Sequence, residues 1–440
     1  MVARAIVTFV LFCVCLLPAQ AQSVHLAQMP ATGFSHRYTL KLALSGQMVV
    51  ERRGEERQLP VKGEANHTFT EYTDRLNTSG HVDRALRHYE FAKSVVSING
   101  EGRVQELPAV HRTIALSHLD SGRIHHSMGG PLTRDELDLV AQHFDVLCLA
   151  GCLPGKDVTV MESWKLSDTA VQQACLFDGL LKQDVQGTLL RVTGEQAVLG
   201  FRGSAEGLEA GAGIKVKIDA TATYDIKAKR ITGVQWRQDD TRELGPATPA
   251  MTITAKIDIV SETLPNEPKE LSAEVREKAF VKPTPSELLR IRHTEPSGAY
   301  TVLHSRDWRN IGATSAFSVF RLLQGGEFIA QATVTAWTAV GKGEHTPASE
   351  IVAAINKTPG WVLGEVLSEG EQKSTNPARW VYRYSARGKR DGAEVIQTFD
   401  FISVDGKQAL VSFLVAPDKV KRLAEVEADF VDGVSPGVRK

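Results

Sequence analysis

Cysteine is scarce in this 440-residue chain: five in all, with Cys13 and Cys15 confined to its first stretch. A disulfide-dense scaffold is thereby excluded, and stability has to come from apolar cores. Charge of one sign is missing too, with 51 Lys and Arg against 52 Asp and Glu. No cationic excess exists to neutralise phosphates, so general nucleic-acid binding is not expected. Past residue 21 no apolar run approaches the ~20 residues that a membrane-spanning helix needs. Short internal repeats and low-complexity tracts are absent. So are HExxH, P-loop, EF-hand and haem-attachment motifs. The serine of Gly203-Ser204-Ala205-Glu206-Gly207 lacks the glycine two positions before it that a hydrolase elbow requires.

What the chain does have begins at its start. Arg4 precedes an apolar run from Ala5 to Leu17, followed by Pro18 and Ala19-Gln20-Ala21. Small residues at −3 and −1, here Ala19 and Ala21, are what signal peptidase accepts, so cleavage is expected after Ala21. The run is too short to span a bilayer. The expected product is exported and released, secreted or periplasmic, starting at Gln22 with 50 basic and 52 acidic residues. Leu149-Ala150-Gly151-Cys152 spells a lipobox far from any leader and is read as a chance match. Cys148, Cys152 and Cys175 remain in the mature chain as disulfide candidates, enough for one bridge.

Alternation dominates the rest. Tyr38, Leu40, Leu42 and Leu44 share one face of their segment. Ile214, Val216, Ile218, Ala220, Ala222, Tyr224 and Ile226 share another, as do Met251, Ile253, Ala255, Ile257 and Ile259. Period 2 over such lengths predicts antiparallel strands with one packed and one wet face. Asn99-Gly100 and Asp405-Gly406 supply the positive φ of tight hairpins. Helices interrupt the sheet. Thr133 and Glu136 form a capping box ahead of the stripe Leu137, Val140, Ala141, Phe144, Cys148. Others are expected after Ser167, from a Thr346 N-cap with Pro347 at the first helical position, and near Asp418 with Val420, Leu423 and Phe430 inward.

Pro265, Pro268, Pro283 and Pro285, set among charges, mark 262–286 as a linker without a core of its own. It separates a β-rich domain, 22–261, from an α+β domain, 287–435. The fold class is therefore α+β in two domains. The first is a curved sheet or half-barrel with two helices, and the second an antiparallel sheet flanked by helices.

The second domain runs from Ser297-Gly298-Ala299-Tyr300 to Arg306-Asp307-Trp308, then Phe328–Val334, Trp337, the 346–357 helix, Trp380-Val381-Tyr382-Arg383-Tyr384, the hairpin at Asp405-Gly406 and a closing helix. In that order of elements it resembles the Mog1/PsbP/LpqN-like superfamily. The resemblance implies the sheet-and-helix fold and no site residue, because its members bind unrelated partners. The first domain resembles uncharacterised secreted bacterial proteins, and in texture the half-barrels of periplasmic lipoprotein carriers.

Candidate chemistry is thin. Gly203, Gly207, Gly211 and Gly213 read as a mobile hairpin loop, since a phosphate cradle would have to open a helix. His118 and His125 would sit diagonally on one face of a hairpin turning at 120–122, within reach of one metal ion; His126 points the other way. Asp239, Asp240 and Glu243 read as a solvated charged turn, and otherwise as an acid–base pair. The expectation is a non-catalytic binding or scaffold protein of the cell envelope, without cofactor, for an unidentified protein partner or apolar ligand. The alternative is a hydrolase or metal-dependent enzyme using His118/His125 or Asp239/Asp240/Glu243. A lipid-carrying version requires an apolar cavity in the first domain, and a filled core there rules it out.

Overall fold

The computed structural model describes residues 23–28, 33, 35–52, 54–77, 82–119, 122–141, 144–374 and 376–437, with the backbone alone at 52, 118, 119 and 122. The leader with Ala19 and Ala21 lies outside these residues.

The alternating stretches form long antiparallel strands, because only that pairing lets one face pack while the other stays wet. In chain order they are β1 (Ser35–Arg52), β2 (Glu55–Leu76), β3 (Val82–Ile98), β4 (Thr113–Leu119), β5 (Gly122–Ser127), β6 (Gln186–Thr193), β7 (Gln196–Glu209), β8 (Ala212–Asp225), β9 (Arg230–Arg242) and β10 (Ala250–Thr263). They lie in the order β5-β4-β3-β2-β1-β10-β9-β8-β7-β6 within a 13-stranded sheet. The chain thus runs outward from β1 to β5, crosses over, and returns inward from β6 to β10. The two meanders meet where β10 pairs with β1, Ile257 opposite Leu42. The sheet is not a closed barrel.

The crossover fills the apolar face. Helix α1 (Arg134–Ala141), a 3₁₀ segment Val146–Cys152 and α2 (Asp168–Ala174) lie on it. The capping box forms as expected: Thr133 N donates to Glu136 Oε2 at 2.8 Å, and Glu136 N to Thr133 Oγ1 at 3.2 Å. The helix is shorter than its apolar stripe, however. By Phe144 the chain is no longer helical, and Asp145 caps the 3₁₀ segment by accepting from Leu147 N at 3.1 Å. Cys148 reaches the core from that segment and Phe144 from just before it, its ring 5.0 Å from Trp236. The resulting core is packed with side chains from both layers. That packing fills the middle of the sheet and leaves open space at one end of it, by Tyr38 and Val146.

The 262–286 segment packs on the first domain. Leu271 and Ala279, the latter at the end of α3 (Ala273–Ala279), are buried against Leu86 and Ala115 on the opposite face of the sheet. His126 reaches the same strap, its Nε2 bonding Ala279 O at 3.3 Å.

The second domain contains β11 (Trp308–Ala313), β12 (Phe317–Gln324), β13 (Glu327–Trp337), α4 (Ala348–Asn356), β14 (Trp361–Gln372), β15 (Arg379–Arg390), β16 (Ala393–Val404), β17 (Lys407–Val415) and α5 (Val420–Asp432). Sheet order is β11-β12-β13-β17-β16-β15-β14. Phe430 of α5 meets Trp308, Phe320 and Phe413 at 4.6, 5.4 and 5.7 Å on one face. Ile351 and Ile355 of α4 pack with Tyr384 and Phe401 on the other. Thr346 does not cap α4. Pro347 takes that position, and Thr346 instead exchanges hydrogen bonds with Gln408 at 2.8 and 3.1 Å.

Candidate functional site

Where β1, β2, β9 and β10 end together, the apolar face turns polar. The register places His36 opposite both Thr263 and Glu71, and Tyr38 opposite Ser261 and Phe69. Arg230 opens β9 after a turn in which Lys229 takes φ 51°. With the 3₁₀ segment above, these residues line a half-open cavity of about 420 Å³, together with Gln28, Val82, Val146, Leu147 and Ala150. That volume lies in the range of small-molecule sites.

Arg230 is the central group, only 5% exposed. Its Nη1 bonds His36 Nδ1 at 2.6 Å and donates to Thr263 Oγ1 at 2.7 Å, and Nη2 donates to Ser261 Oγ at 2.8 Å. Burial, and secondarily Arg230, lowers the His36 pKa to about 4, so the ring is neutral and its Nδ1 accepts from the guanidinium. Behind the cavity wall lies an ionic chain. Arg87 Nε donates to Glu71 Oε2 at 2.6 Å and Nη2 to Asp145 Oδ1 at 3.0 Å; Arg123 pairs with the other Asp145 oxygen.

The residues singled out in the sequence do not converge here. The hairpin register is as expected, with His118 opposite Arg123 and Leu116 opposite His125. The His118 side chain lies outside the described residues. His125 is buried, and desolvation together with Arg87, Arg123 and Arg306 drives its pKa well below the usual imidazole value. Three guanidinium charges around one imidazole oppose a cation electrostatically. Among the described residues no group of three or more His, Cys, Asp or Glu side chains is placed to hold a metal ion.

The Asp239–Glu243 run is not a turn: β9 continues to Arg242, hydrogen-bonded on both sides. Strand alternation then splits the two aspartates. Asp239 faces out, bonding Arg237 at 2.9 Å and Thr254 at 2.5 Å. Asp240 faces in and accepts from Gln238 Nε2 at 3.0 Å; burial raises its pKa to about 6. Glu243 lies beyond the strand end, against Gly213.

The glycine-rich stretch is not a mobile loop either. Gly203 and Gly207 are inside β7, and only Ala210-Gly211 turns, at φ 49° and 80°. Cys148, Cys152 and Cys175 are buried free thiols in the structure. Desolvation raises the Cys148 and Cys175 pKa values, and Cys152 Sγ lies 3.5 Å from Cys148 O.

In the sequence none of His36, Tyr38, Glu71, Thr73, Arg230 and Thr263 stands out as a site residue, and Tyr38 reads only as part of a strand face. One signal was available: His36 and Tyr38 extend the packed face of β1 in polar form. Arg230, within Lys227-Ala228-Lys229-Arg230, has the appearance of an ordinary solvated turn.

No family model matches the chain. No curated protein matches it. Among solved structures it is similar over 34% of its length to cyanobacterial PsbP from Synechocystis, at 13% identity and a TM-score of 0.27, covering 92% of that chain. A lipovitellin structure aligns with 55% of this chain and 27% of its own, at 6% identity and a TM-score of 0.32. The translocator domain of the autotransporter NalP from Neisseria meningitidis aligns with 87%, at 8% identity and a TM-score of 0.12. No argument about function rests on these likenesses. Among the described residues no helix is long and apolar enough to cross a membrane.

Proposed function

We propose that this chain is an exported, non-catalytic binding protein of the cell envelope that holds a small ligand at the end of its first sheet. The observation that carries the reading is the 420 Å³ cavity, set into a core otherwise filled with side chains. Its apolar wall excludes water from a ligand body, and its few polar groups fix orientation, the usual division of labour in a small-molecule site. Support for a non-catalytic role comes from geometry. Asp239 and Asp240 are held on opposite faces of β9, and His125 is kept neutral among arginines. Export rests on the Ala19/Ala21 leader.

Native mass spectrometry of the protein taken from its own envelope tests the proposal. The expected species starts at Gln22 and carries a small organic molecule that leaves on denaturation. Ala150→Phe, which fills the cavity from the 3₁₀ segment, should yield the bare chain. A wild-type protein recovered bare, or retaining Met1, would refute the reading.

A further inference from the structure

The cavity contains a charge that its own walls leave unbalanced. Five ionised side chains share this part of the inner face: Arg87, Arg123 and Arg230 against Glu71 and Asp145. Both carboxylates are already engaged, Glu71 by Arg87, and Asp145 by Arg87 and Arg123. The imidazoles of His36, His67 and His125 add nothing, because burial keeps each of them neutral. One positive charge is left over, and it belongs to Arg230.

Among the described residues no carboxylate lies within 4.0 Å of the Arg230 guanidinium. Its hydrogen-bond partners are a neutral ring and the hydroxyls of Thr263, Ser261 and Tyr38, none of them charged, and its buried Nε has no acceptor. A cation taken out of water is stable only with a partner charge and filled hydrogen bonds. Lys229 beside it is exposed, so its charge stays hydrated and needs no partner inside the cavity. The opposite wall is apolar, formed by Val82, Val146, Leu147 and Ala150.

We infer that the cavity takes a small amphipathic monocarboxylate, its head group balancing Arg230 and its hydrocarbon part lying on Val82, Val146 and Leu147. The inference rests on the binding-protein reading above and adds the class of ligand. One unbalanced buried charge calls for one negative charge, whereas a phosphate dianion overshoots it. Arginine's planar fork suits a carboxylate. Arg230 also ties β9 to β1 and β10. That clamping role alone would produce no preference for an anionic head.

Calorimetric titration of the mature full-length protein with decanoate, decanol and decyl phosphate decides the matter. Decanoate is expected to bind about tenfold tighter than decanol or more, as a charge-assisted hydrogen bond allows. Arg230→Gln should bring the affinities for decanoate and decanol together, and Arg230→Lys should keep part of the preference. Equal affinity of the wild-type protein for decanoate and decanol overturns the carboxylate assignment while the binding reading stands. Tighter binding of decyl phosphate than of decanoate also overturns it. Binding of none of the three overturns both readings. The wild-type comparison stands by itself if the Arg230→Gln protein fails to fold.

Discussion

Arg87 and Glu71 face each other across β2 and β3, with Arg87 Nε donating to Glu71 Oε2 at 2.6 Å and both side chains almost wholly buried. Arg87 also lies over the Phe69 ring, 4.9 Å from its centroid, and reaches Asp145 of the crossover segment. One guanidinium therefore fastens the sheet to the layer that fills its apolar face. Removing one partner leaves an uncompensated buried charge. Glu71→Leu should destabilise the first domain by about 3–5 kcal/mol, read as a lower urea midpoint. The double change Glu71→Leu with Arg87→Met should cost less than the sum of the two single changes.

Acid should loosen the first domain through its histidines. His36 and His67 are depressed from 6.5 to about 4, chiefly by burial. As pH falls below 6.5 the unfolded chain takes up protons that the folded one refuses, so stability drops until the folded value near 4 is passed. Asp240, lifted from 3.8 to about 6, works in the opposite direction between those values. The histidine effect is therefore cleanest just below pH 6.5. Hydrogen exchange of β1 and β2 peptides should accelerate there, and a flat profile would contradict this account.

The second domain should show the opposite slope. Asp400 is buried; desolvation, reinforced by Glu427, raises its pKa from 3.8 to about 7 despite Arg383. The folded state holds a proton that the unfolded state releases between those values, so this contribution is full below 3.8 and is lost as pH rises through 7. Asp400→Asn should raise the urea midpoint at pH 8 and flatten the slope between pH 4 and 7. Exchange rates of β16 peptides would report this separately from the first domain.

Gly207 has no positive φ, yet a Cβ there would stand 2.4 Å from the Phe177 ring and 2.7 Å from Gly179 O. Gly207→Ala should destabilise by about 1–3 kcal/mol through overpacking. Phe177→Leu in the same chain should recover part of that loss, because it withdraws the ring the methyl meets. An urea midpoint for Gly207→Ala equal to wild type would show that the strand yields more readily than the packing suggests.

Much of the fold was legible because its signals are local. Alternation over Tyr38–Leu44, Ile214–Ile226 and Met251–Ile259 predicts three strands that the structure contains, with Ile226 just past its strand and Leu42, Leu44 and Met251 half-buried. Thr133 and Glu136 are close enough in sequence to declare their own cap. Asn99-Gly100 and Asp405-Gly406 turn with the positive φ their types require. What failed were readings that depend on distant neighbours. The Asp239–Glu243 run read as a turn because its charges suggest solvent, but pairing with β8 and β10 holds Asp239 and Asp240 in a strand. The spaced glycines read as a loop, but Gly207 is needed where Phe177 approaches. Where 262–286 would lie was not legible at all: its few apolar residues include Leu271 and Ala279, which pack with Leu86 and Ala115.

The pattern of residues by itself determined the antiparallel, two-domain character of this protein, since period-2 burial and short-range caps need no knowledge of the remainder of the chain. Only the tertiary structure decided where charge goes uncompensated. His36, Glu71, Arg230 and Thr263 come from separate stretches of chain and meet only because β1 pairs with both β2 and β10. Whether a buried arginine has a carboxylate beside it depends on which strands end together, and no local pattern encodes that.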